Sequence, residues 1–501
     1  MKQMKMPTLP DKIRRSRKRS WPTALVIAIA VAGTLAACTS AVKVDLPAPR
    51  VLPSAFEQVP AASGAQTDLA HWWRDWQDPE LSRYVNEALQ ANTELGVAQA
   101  RVREARSLAA VVDSARYPML SAQAGAEHGF GNLRDPTDVP DGTPDLDGYA
   151  GGVTSVWEVD IFGRRASDSA AASALADMAQ EKLRGARIAI AADVAQNYLA
   201  ARGLQRRLLL LDRSLNTLHD MQRYAEARFR TGQAVRYDVQ RVTEQIAARE
   251  AERPVLVSEI DVRRRRLAVL AGKAAQQATP LDAPGTFRVP DVPTGELPST
   301  VLERRPDVRA TAASVHAQAA RLGSAEAQLL PRFYLTFVGL DGHLRLDGLP
   351  GLSGSGGLIG VGADLPIFNA GRIRSNIAAN DAGLQAALGE YDGSILRALE
   401  EVDSSYGARH GLDMRIERLD ATRLTAGRNV EDVRQLYEGG QLTMRDVLDA
   451  RLDALQREDE MIQAQTAQAL ATVRLYLALG GGWSIAETTV PAGGVNRGLL
   501  Q

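Results

Sequence analysis

The chain contains one helical pattern twice, and this duplication constrains its fold more than any other feature of the sequence. The stretch from Val430 to Leu455 repeats one that lies 208 residues earlier. In register, Phe229–Gln233 falls on Tyr437–Gln441, and Asp238 falls on Asp446. The same register holds far outside these segments, so the sequence consists of two copies of one unit.

Each copy of the repeated stretch is typical of a helical hairpin with a sharp end. A long amphipathic pattern runs into Gly232 or Gly440, and glycine can take the positive φ that ends a helix. Asp238 and Asp446 follow at positions where an acidic side chain suits the first turn of the next helix. The helices after the two turns are predicted over Tyr237–Ala271 and Thr443–Leu479.

The rest of each copy combines a shorter helix, a pair of strands and a very long helix. Helical spacing covers Asn92–Ala115 and Arg305–Leu330. No proline occurs in residues 145–253 or 367–490. A helix over Arg164–Arg230 would extend for roughly 100 Å at 1.5 Å per residue. The pattern therefore predicts a mainly helical protein with unusually long helices.

Four stretches with strand-like patterns precede the two long helices. They are Met119–Phe130, Tyr149–Phe162, Phe333–Val338 and Leu358–Phe368, with a Gly-rich loop predicted over Asp341–Gly357. The second stretch alternates polar and apolar residues, as a strand with one wet face does. Four strands cannot close a barrel and would expose unpaired edges in a membrane, whereas three chains would supply twelve strands.

The N-terminus reads as a bacterial lipoprotein signal. A basic run, Lys12–Arg19, precedes an apolar stretch, Ala24–Ala37, as in a secretory signal peptide over residues 1–37. Leu35-Ala36-Ala37 leads into Cys38, the only cysteine, and resembles a lipobox. The resemblance implies a diacylglycerol on the Cys38 sulfur, an acylated amino group and, since no Asp follows, the outer membrane. The alternative is a signal peptide with a chance cysteine.

Composition excludes several classes of protein. Removing residues 1–37 takes eight basic residues and one acidic residue from totals of 59 and 60, so the mature net charge is −8. That charge argues against nucleic acid as a partner. The six histidines show no metal-ligand spacing, the Gly-rich Leu352–Gly362 lacks the Lys-Ser/Thr of a phosphate loop, and no G-x-S-x-G occurs. We predict no enzyme, no metal and no cofactor besides the covalent lipid on Cys38.

An aromatic cluster precedes the first repeat of helices. Trp72, Trp73 and Trp76 lie within Asp68–Ala88, which is otherwise spaced as a helix. We interpret this segment as a short helix packed against the body of the protein. Sugar binding by stacked indoles is the alternative.

The combination of motifs resembles the outer membrane efflux protein family, in its NodT-type lipoprotein branch. The motifs are the lipobox, the tandem halves, Tyr117-Pro118 and Leu330-Pro331 before the strand pairs, Phe162-Gly163-Arg164 and Phe368-Asn-Ala-Gly371-Arg372 at the helix starts, and the tip that ends in Asp446-Val-Leu-Asp-Ala450. The resemblance covers nearly the whole mature chain. It divides the sequence into a signal peptide (1–37), a lipidated tether (38–64), two efflux repeats (65–297 and 298–482) and a tail (483–501).

The resemblance implies a homotrimer in the outer membrane. A transmembrane twelve-stranded β-barrel would continue into a twelve-helix periplasmic α-barrel, with two tandem repeats per chain. Its implied function is the passive exit duct of a tripartite efflux pump for drugs or toxic compounds. The implied partners are a periplasmic membrane fusion adaptor, an inner membrane efflux transporter and outer membrane lipid. A duct for type I protein secretion and a structural helical-stalk lipoprotein are the alternatives.

Matching the family's motif residue by residue implies a periplasmic gate at the hairpin tips, Gly232 and Gly440. Asp446 and Asp449 fall where acidic rings line the tunnel entrance. Tyr437 and Asp238 fall where interhelical bonds hold it closed. In the alternative interpretation, Asp446 favours a helix N-terminus, Tyr437 packs, and Asp449 lies on the surface.

One position departs from the family's gate. Leu442 stands two residues after the tip glycine, where the best-known gate has a basic residue. Arg445 and Arg236 are the candidate replacements.

Overall fold

The computed structural model describes residues 44, 46–48, 50–60, 69–130, 146–282, 285, 288–346 and 350–481. Cys38, the signal peptide, residues 131–145 between the first two strands, and the tail 483–501 lie outside the described residues. The described chain forms two compact units. The first comprises residues 112–169 and 320–380; the second comprises the described parts of 46–111, 170–319 and 381–481.

Helices and strands follow one order twice. The first copy contains α1 (Pro79–Ala91), α2 (Thr93–Ser114), β1 (Met119–Gly129), β2 (Leu146–Val159), α3 (Arg164–Arg230) and α4 (Arg236–Leu270). The second contains α5 (Pro298–Arg304), α6 (Pro306–Ala327), β3 (Arg332–Leu346), β4 (Leu352–Asp364), α7 (Arg372–Glu438) and α8 (Met444–Ala478). Both ends of α7 and α8 lie 208 residues after those of α3 and α4, as the sequence register predicts.

Short 3-10 helices at Leu69–Trp76 and Ala275–Gln277 complete the described elements. Across the described part of the chain, we find no helix with a stretch both apolar enough and long enough to cross a bilayer.

The first unit is built on a four-stranded antiparallel sheet in the order β1-β2-β3-β4. Its central pair joins the two copies, since Leu146 lies opposite Leu346 at one end and Val159 opposite Phe333 at the other. Within the described residues, β1 and β4 each pair on one side only. The backbone groups on their outer edges therefore have no partner strand among the residues that the structure describes.

The structure corrects the predicted strand bounds. β3 continues to Leu346 and β4 begins at Leu352, so the loop predicted over Asp341–Gly357 is wrong for most of its length. Pairing with β2 and with each other supplies hydrogen bonds that the glycines' weak strand preference does not reveal. The predicted ends at Phe162 and Phe368 are also wrong, because β2 and β4 end earlier.

The second unit has its largest core around the tryptophan cluster. Trp72, Trp73 and Trp76 on the short helix Leu69–Trp76 are all buried, and the Trp72 ring stacks on Tyr476 of α8 with 5.1 Å between centroids. The packing of this segment is thus confirmed, but it forms two helices, Leu69–Trp76 and α1, rather than one. The burial leaves no exposed indole face there on which a sugar could stack.

Two tyrosines at equivalent positions of the long helices α3 and α7 hydrogen-bond to segments outside those helices. The Tyr198 hydroxyl donates to Asp78 Oδ2 at 2.7 Å, and Asp78 also caps α1 by accepting from the Glu80 and Leu81 amides. The Tyr406 hydroxyl donates to the Pro293 carbonyl at 2.8 Å. Burial raises the pKa of both tyrosines, so each remains a neutral donor.

Candidate functional site

The chain reverses direction at the end of each hairpin through the same local geometry. We call residues 231–235 the first tip and residues 439–443 the second tip. Gly232 and Gly440 have φ of +73° and +75°, a region that glycine occupies without steric cost. The amides after them bond back to the ends of the helices, Gln233 N to Arg228 O at 2.8 Å and Gln441 N to Leu436 O at 2.9 Å. These bonds satisfy carbonyls that the helix ends would otherwise leave unpaired.

Next to the second tip, the Asp446 carboxylate accepts hydrogen bonds from Thr443 of the same hairpin. Its Oδ2 accepts from the Thr443 backbone amide at 2.8 Å and from the Thr443 hydroxyl at 2.6 Å. Hydrogen bonding from the Thr443 side chain, and then from its amide, holds the pKa of Asp446 below the ordinary value. The carboxylate therefore stabilises the start of α8.

The first tip differs at the equivalent pair of residues. Val235 occupies the place of Thr443 and has no hydroxyl, and its amide donates to Asp238 Oδ2 at the longer distance of 3.3 Å. The other oxygen, Oδ1, lies 3.6 Å from Arg445 Nη1. Asp238 thus divides its carboxylate between its own helix and the second hairpin.

Arg445 lies between acidic groups of both hairpins. Its Nε is 3.6 Å from Asp449 Oδ2 on the same helix, in addition to the contact with Asp238. Asp238 and Arg445 line a cavity of about 150 Å³, to which Arg228 and Arg241 also contribute. Since 3.6 Å is long for a hydrogen bond, these are ion pairs between half-exposed groups rather than tight bidentate contacts.

An apolar cluster behind the tips positions α8 against the first hairpin. Leu448 is buried together with Leu218 and Met221 of α3 and Val242 and Ile246 of α4. This packing brings the first turn of α8 to the start of α4, although 208 residues separate them in the sequence. The ion pair at Arg445 depends on that contact.

The structure thus unites some of the predicted gate residues and separates others. Asp238 and Asp449 meet at Arg445, whereas Asp446 bonds to Thr443. Tyr437 is partly exposed, and among the described residues its hydroxyl makes no hydrogen bond. Of the two candidate basic replacements, Arg445 is the one that forms ion pairs in the described chain; Arg236 forms none there.

Arg228 contacts the first tip and was not predicted. Its guanidinium donates to the Gln233 carbonyl at 3.3 Å and to the Tyr224 hydroxyl at 3.1 Å. The second copy has Leu436 at the equivalent position, so the duplication carries no signal for this contact. An arginine four residues before the tip glycine is the only hint that the sequence offers.

The described residues around the tips include no group that could hold a metal ion. Across the ranges that the structure describes, His, Cys, Asp and Glu side chains form no group of three or more that could hold a metal ion. The arrangement offers instead charged groups on two helix ends that an ion pair can hold together or release.

Comparison with known proteins identifies a family that this chain matches. A family model described as outer membrane efflux protein matches residues 84–273 and 297–481, once in each copy. Outer membrane protein OprJ of Pseudomonas aeruginosa is 31% identical over 481 residues, covering 94% of this chain and 98% of that protein. Pyoverdine export outer membrane protein OpmQ of the same species is 28% identical over 440 residues, covering 86% and 91%.

A solved structure has the same fold. The outer-membrane channel OprN superposes with a TM-score of 0.77 at 28% identity, covering 88% of this chain and 99% of that one. The similarity therefore extends over both copies.

Proposed function

Because the chain belongs to the outer membrane efflux protein family, and is thus an outer membrane channel of an efflux pump and not an enzyme, we propose that it acts as a homotrimeric exit duct. Small molecules such as drugs or toxic compounds would pass through it passively. Direction and energy would come from an inner membrane transporter, reached through a periplasmic adaptor.

One observation supports the proposal that the protein is a trimer. The four-stranded sheet has an outer edge on β1 and another on β4, each without a partner strand among the described residues. Open edges are not tolerated in the hydrocarbon region of a membrane, where no water can bond to them. Three copies, paired β4 to β1, would close twelve strands into a barrel within the range of known outer membrane barrels.

The helices support a tunnel of matching symmetry. Each chain supplies two helices of 67 residues, α3 and α7, and two of 35 residues, α4 and α8. In the proposed tunnel, α2 and α6 would lengthen the lines of the two shorter helices, α4 and α8. Each chain would then offer four lines of helix, and three chains would offer twelve. Long helices with narrow apolar stripes pack side by side in this way.

We assign the gate of this duct to the two tips. Three-fold symmetry would bring three copies of Asp446 and Asp449 together, so like charges would oppose closure. The Asp238–Arg445 ion pair ties the hairpins of one chain and offsets part of that repulsion. Tyr437 would complete the closed state through a contact with a neighbouring chain.

The membrane anchor is the lipid on Cys38. The lipobox Leu35-Ala36-Ala37-Cys38 supports it, although Cys38 lies outside the described residues. Acylation would hold the chain in the outer membrane alongside the barrel.

Molecular mass and conductance test the duct directly. We expect the detergent-purified full-length protein to have the mass of three chains by light scattering. In planar bilayers it should give single-channel currents that a sample heated in SDS does not give. A purified protein of one-chain mass, or a trimer that never conducts, would contradict the proposal.

A further inference from the structure

The residues immediately before α4 and α8, Val235 and Thr443, differ in one chemical group. Val235 and Thr443 precede α4 and α8 with the same backbone angles, φ −97° and ψ 159°. Each is followed three residues later by an aspartate, Asp238 or Asp446. The threonine has a hydroxyl, and the valine has a methyl group in its place.

The hydroxyl decides how firmly the aspartate is held by its own helix. With Thr443, Asp446 Oδ2 receives two short hydrogen bonds, 2.6 and 2.8 Å. With Val235, Asp238 Oδ2 receives one long bond of 3.3 Å. Hydrogen bonds to a carboxylate weaken as they lengthen beyond the usual 2.7–2.9 Å, roughly the range for charged pairs.

We propose that Val235 is a positioning residue of the gate: by withholding a hydroxyl, it leaves Asp238 available to Arg445 on the other hairpin. Asp238 then supplies the carboxylate of the ion pair between the hairpins, whereas its equivalent Asp446 stays hydrogen-bonded to Thr443. This inference rests on the proposed gate.

Several charged groups near Asp238 compete for the ion pair between Asp238 and Arg445. Arg228, Arg241 and Arg445 all line the cavity at which Asp238 lies, and Asp449 shares Arg445 from the other side. If a hydroxyl at position 235 drew Asp238 onto its own helix, Arg445 would retain only Asp449, four residues along α8. No ion pair of Arg445 would then connect the hairpins.

The substitution Val235→Thr in the full-length protein tests this competition by single-channel recording. We expect the ratio of open to closed channels to rise by about twofold to fivefold per chain, as for loss of one exposed ion pair. Val235→Ser should reproduce the rise and Val235→Ala should not, because only serine brings a hydroxyl. Val255→Thr makes the same chemical change on an exposed site of α4 and controls for a general effect of threonine.

A double substitution separates this inference from the gate itself. In an Arg445→Ala background, Val235→Thr should add nothing, because the contact that it weakens is already gone. If Arg445→Ala raises the open ratio but Val235→Thr does not, the role of Val235 is wrong and the gate stands. If Arg445→Ala has no effect, the proposed gate is wrong. Equal rises with Val235→Ala and Val235→Thr would also overturn the inference.

Discussion

Arg445 Nη1 lies 3.6 Å from Asp238 Oδ1, and this ion pair links the first turn of α8 to the first turn of α4. The two residues belong to different copies of the duplicated unit. Asp238 has its equivalent in Asp446, but Arg445 has its equivalent in Tyr237, so the pair exists once per chain. Among the described residues, this ion pair joins the two similar halves near their tips and has no equivalent in the duplication.

Arg445→Ala should favour the open channel. Loss of the guanidinium removes the inter-hairpin ion pair and leaves Asp238 and Asp449 without their shared cation, so we expect about a twofold to fivefold rise in the open-to-closed ratio per chain. Arg434→Ala is the matched control, since Arg434 pairs only along its own helix, with Glu431 and Glu438. Equal effects of the two substitutions would show that the tie has no special role.

Asp446→Asn combined with Asp449→Asn should weaken the preference of the channel for cations. Three-fold symmetry would remove six carboxylates from one ring, which lowers the attraction for cations at the entrance. Reversal potentials under a salt gradient measure this preference. Asp453→Asn, one turn further along α8 and paired with Arg457, serves as control. Reversal potentials that match the parent would reject both aspartates as lining residues.

The start of α8 should loosen in acid through Asp446. Its pKa is depressed in the folded chain, so its stabilising effect is complete above the unfolded pKa, about 4, and is lost as pH falls through the folded value. Hydrogen exchange of the amides in the first turn of α8 should therefore accelerate, relative to intrinsic rates, once pH falls below about 4. Asp446→Asn should abolish this pH dependence; a variant that retains it would assign the effect to another group.

Tyr198→Phe should destabilise the junction of α1 and α3. The hydroxyl donates to Asp78, a carboxylate that also caps α1, and its removal should lower the free energy of unfolding by about 1–2 kcal/mol. Thermal unfolding of the detergent-solubilised protein measures the loss. Tyr237→Phe removes a hydroxyl from an exposed ring and should leave Tm unchanged. A similar Tm for all three proteins would mean that the bond to Asp78 adds nothing.

Cys38→Ser should abolish acylation and spare much of the transport. Serine has no thiol to accept the diacylglycerol, whereas a closed barrel would still hold the trimer in the membrane. Incorporation of labelled palmitate and outer membrane fractionation distinguish the two effects. A fully soluble, monomeric variant would contradict the barrel, and a variant that still incorporates label would contradict Cys38 as the anchor site.

Much of the fold could be predicted because it is encoded locally and twice. The bounds of α3 and α7 follow from runs of helical spacing without proline and from the tip glycines that end them. The extent of β3 and β4 could not be predicted, since glycine and serine have weak strand preferences and these strands depend on their neighbours in the sheet. Pairing of β2 with β3 supplies what the local sequence lacks.

The ion pairs of Glu158 were also beyond sequence reasoning. Glu158 is buried at the end of β2 and accepts from Arg164 at 2.6 Å and from Arg165 at 3.0 Å. The second copy has Pro366 at the equivalent position, so the duplication gives no warning of this cluster. A charged side chain looks the same in a sequence whether it is solvated or paired.

The amino-acid sequence by itself determined the duplication, the long helices, the tip glycines and the family, because each of these follows from residue types and their spacing along the chain. Only the tertiary structure decided that Arg445 rather than Arg236 meets Asp238, and that Asp446 is occupied by Thr443. The Arg445–Asp238 contact depends on Leu448 packing against α3 and α4, which brings residues 207 positions apart in the sequence to within 3.6 Å of one another.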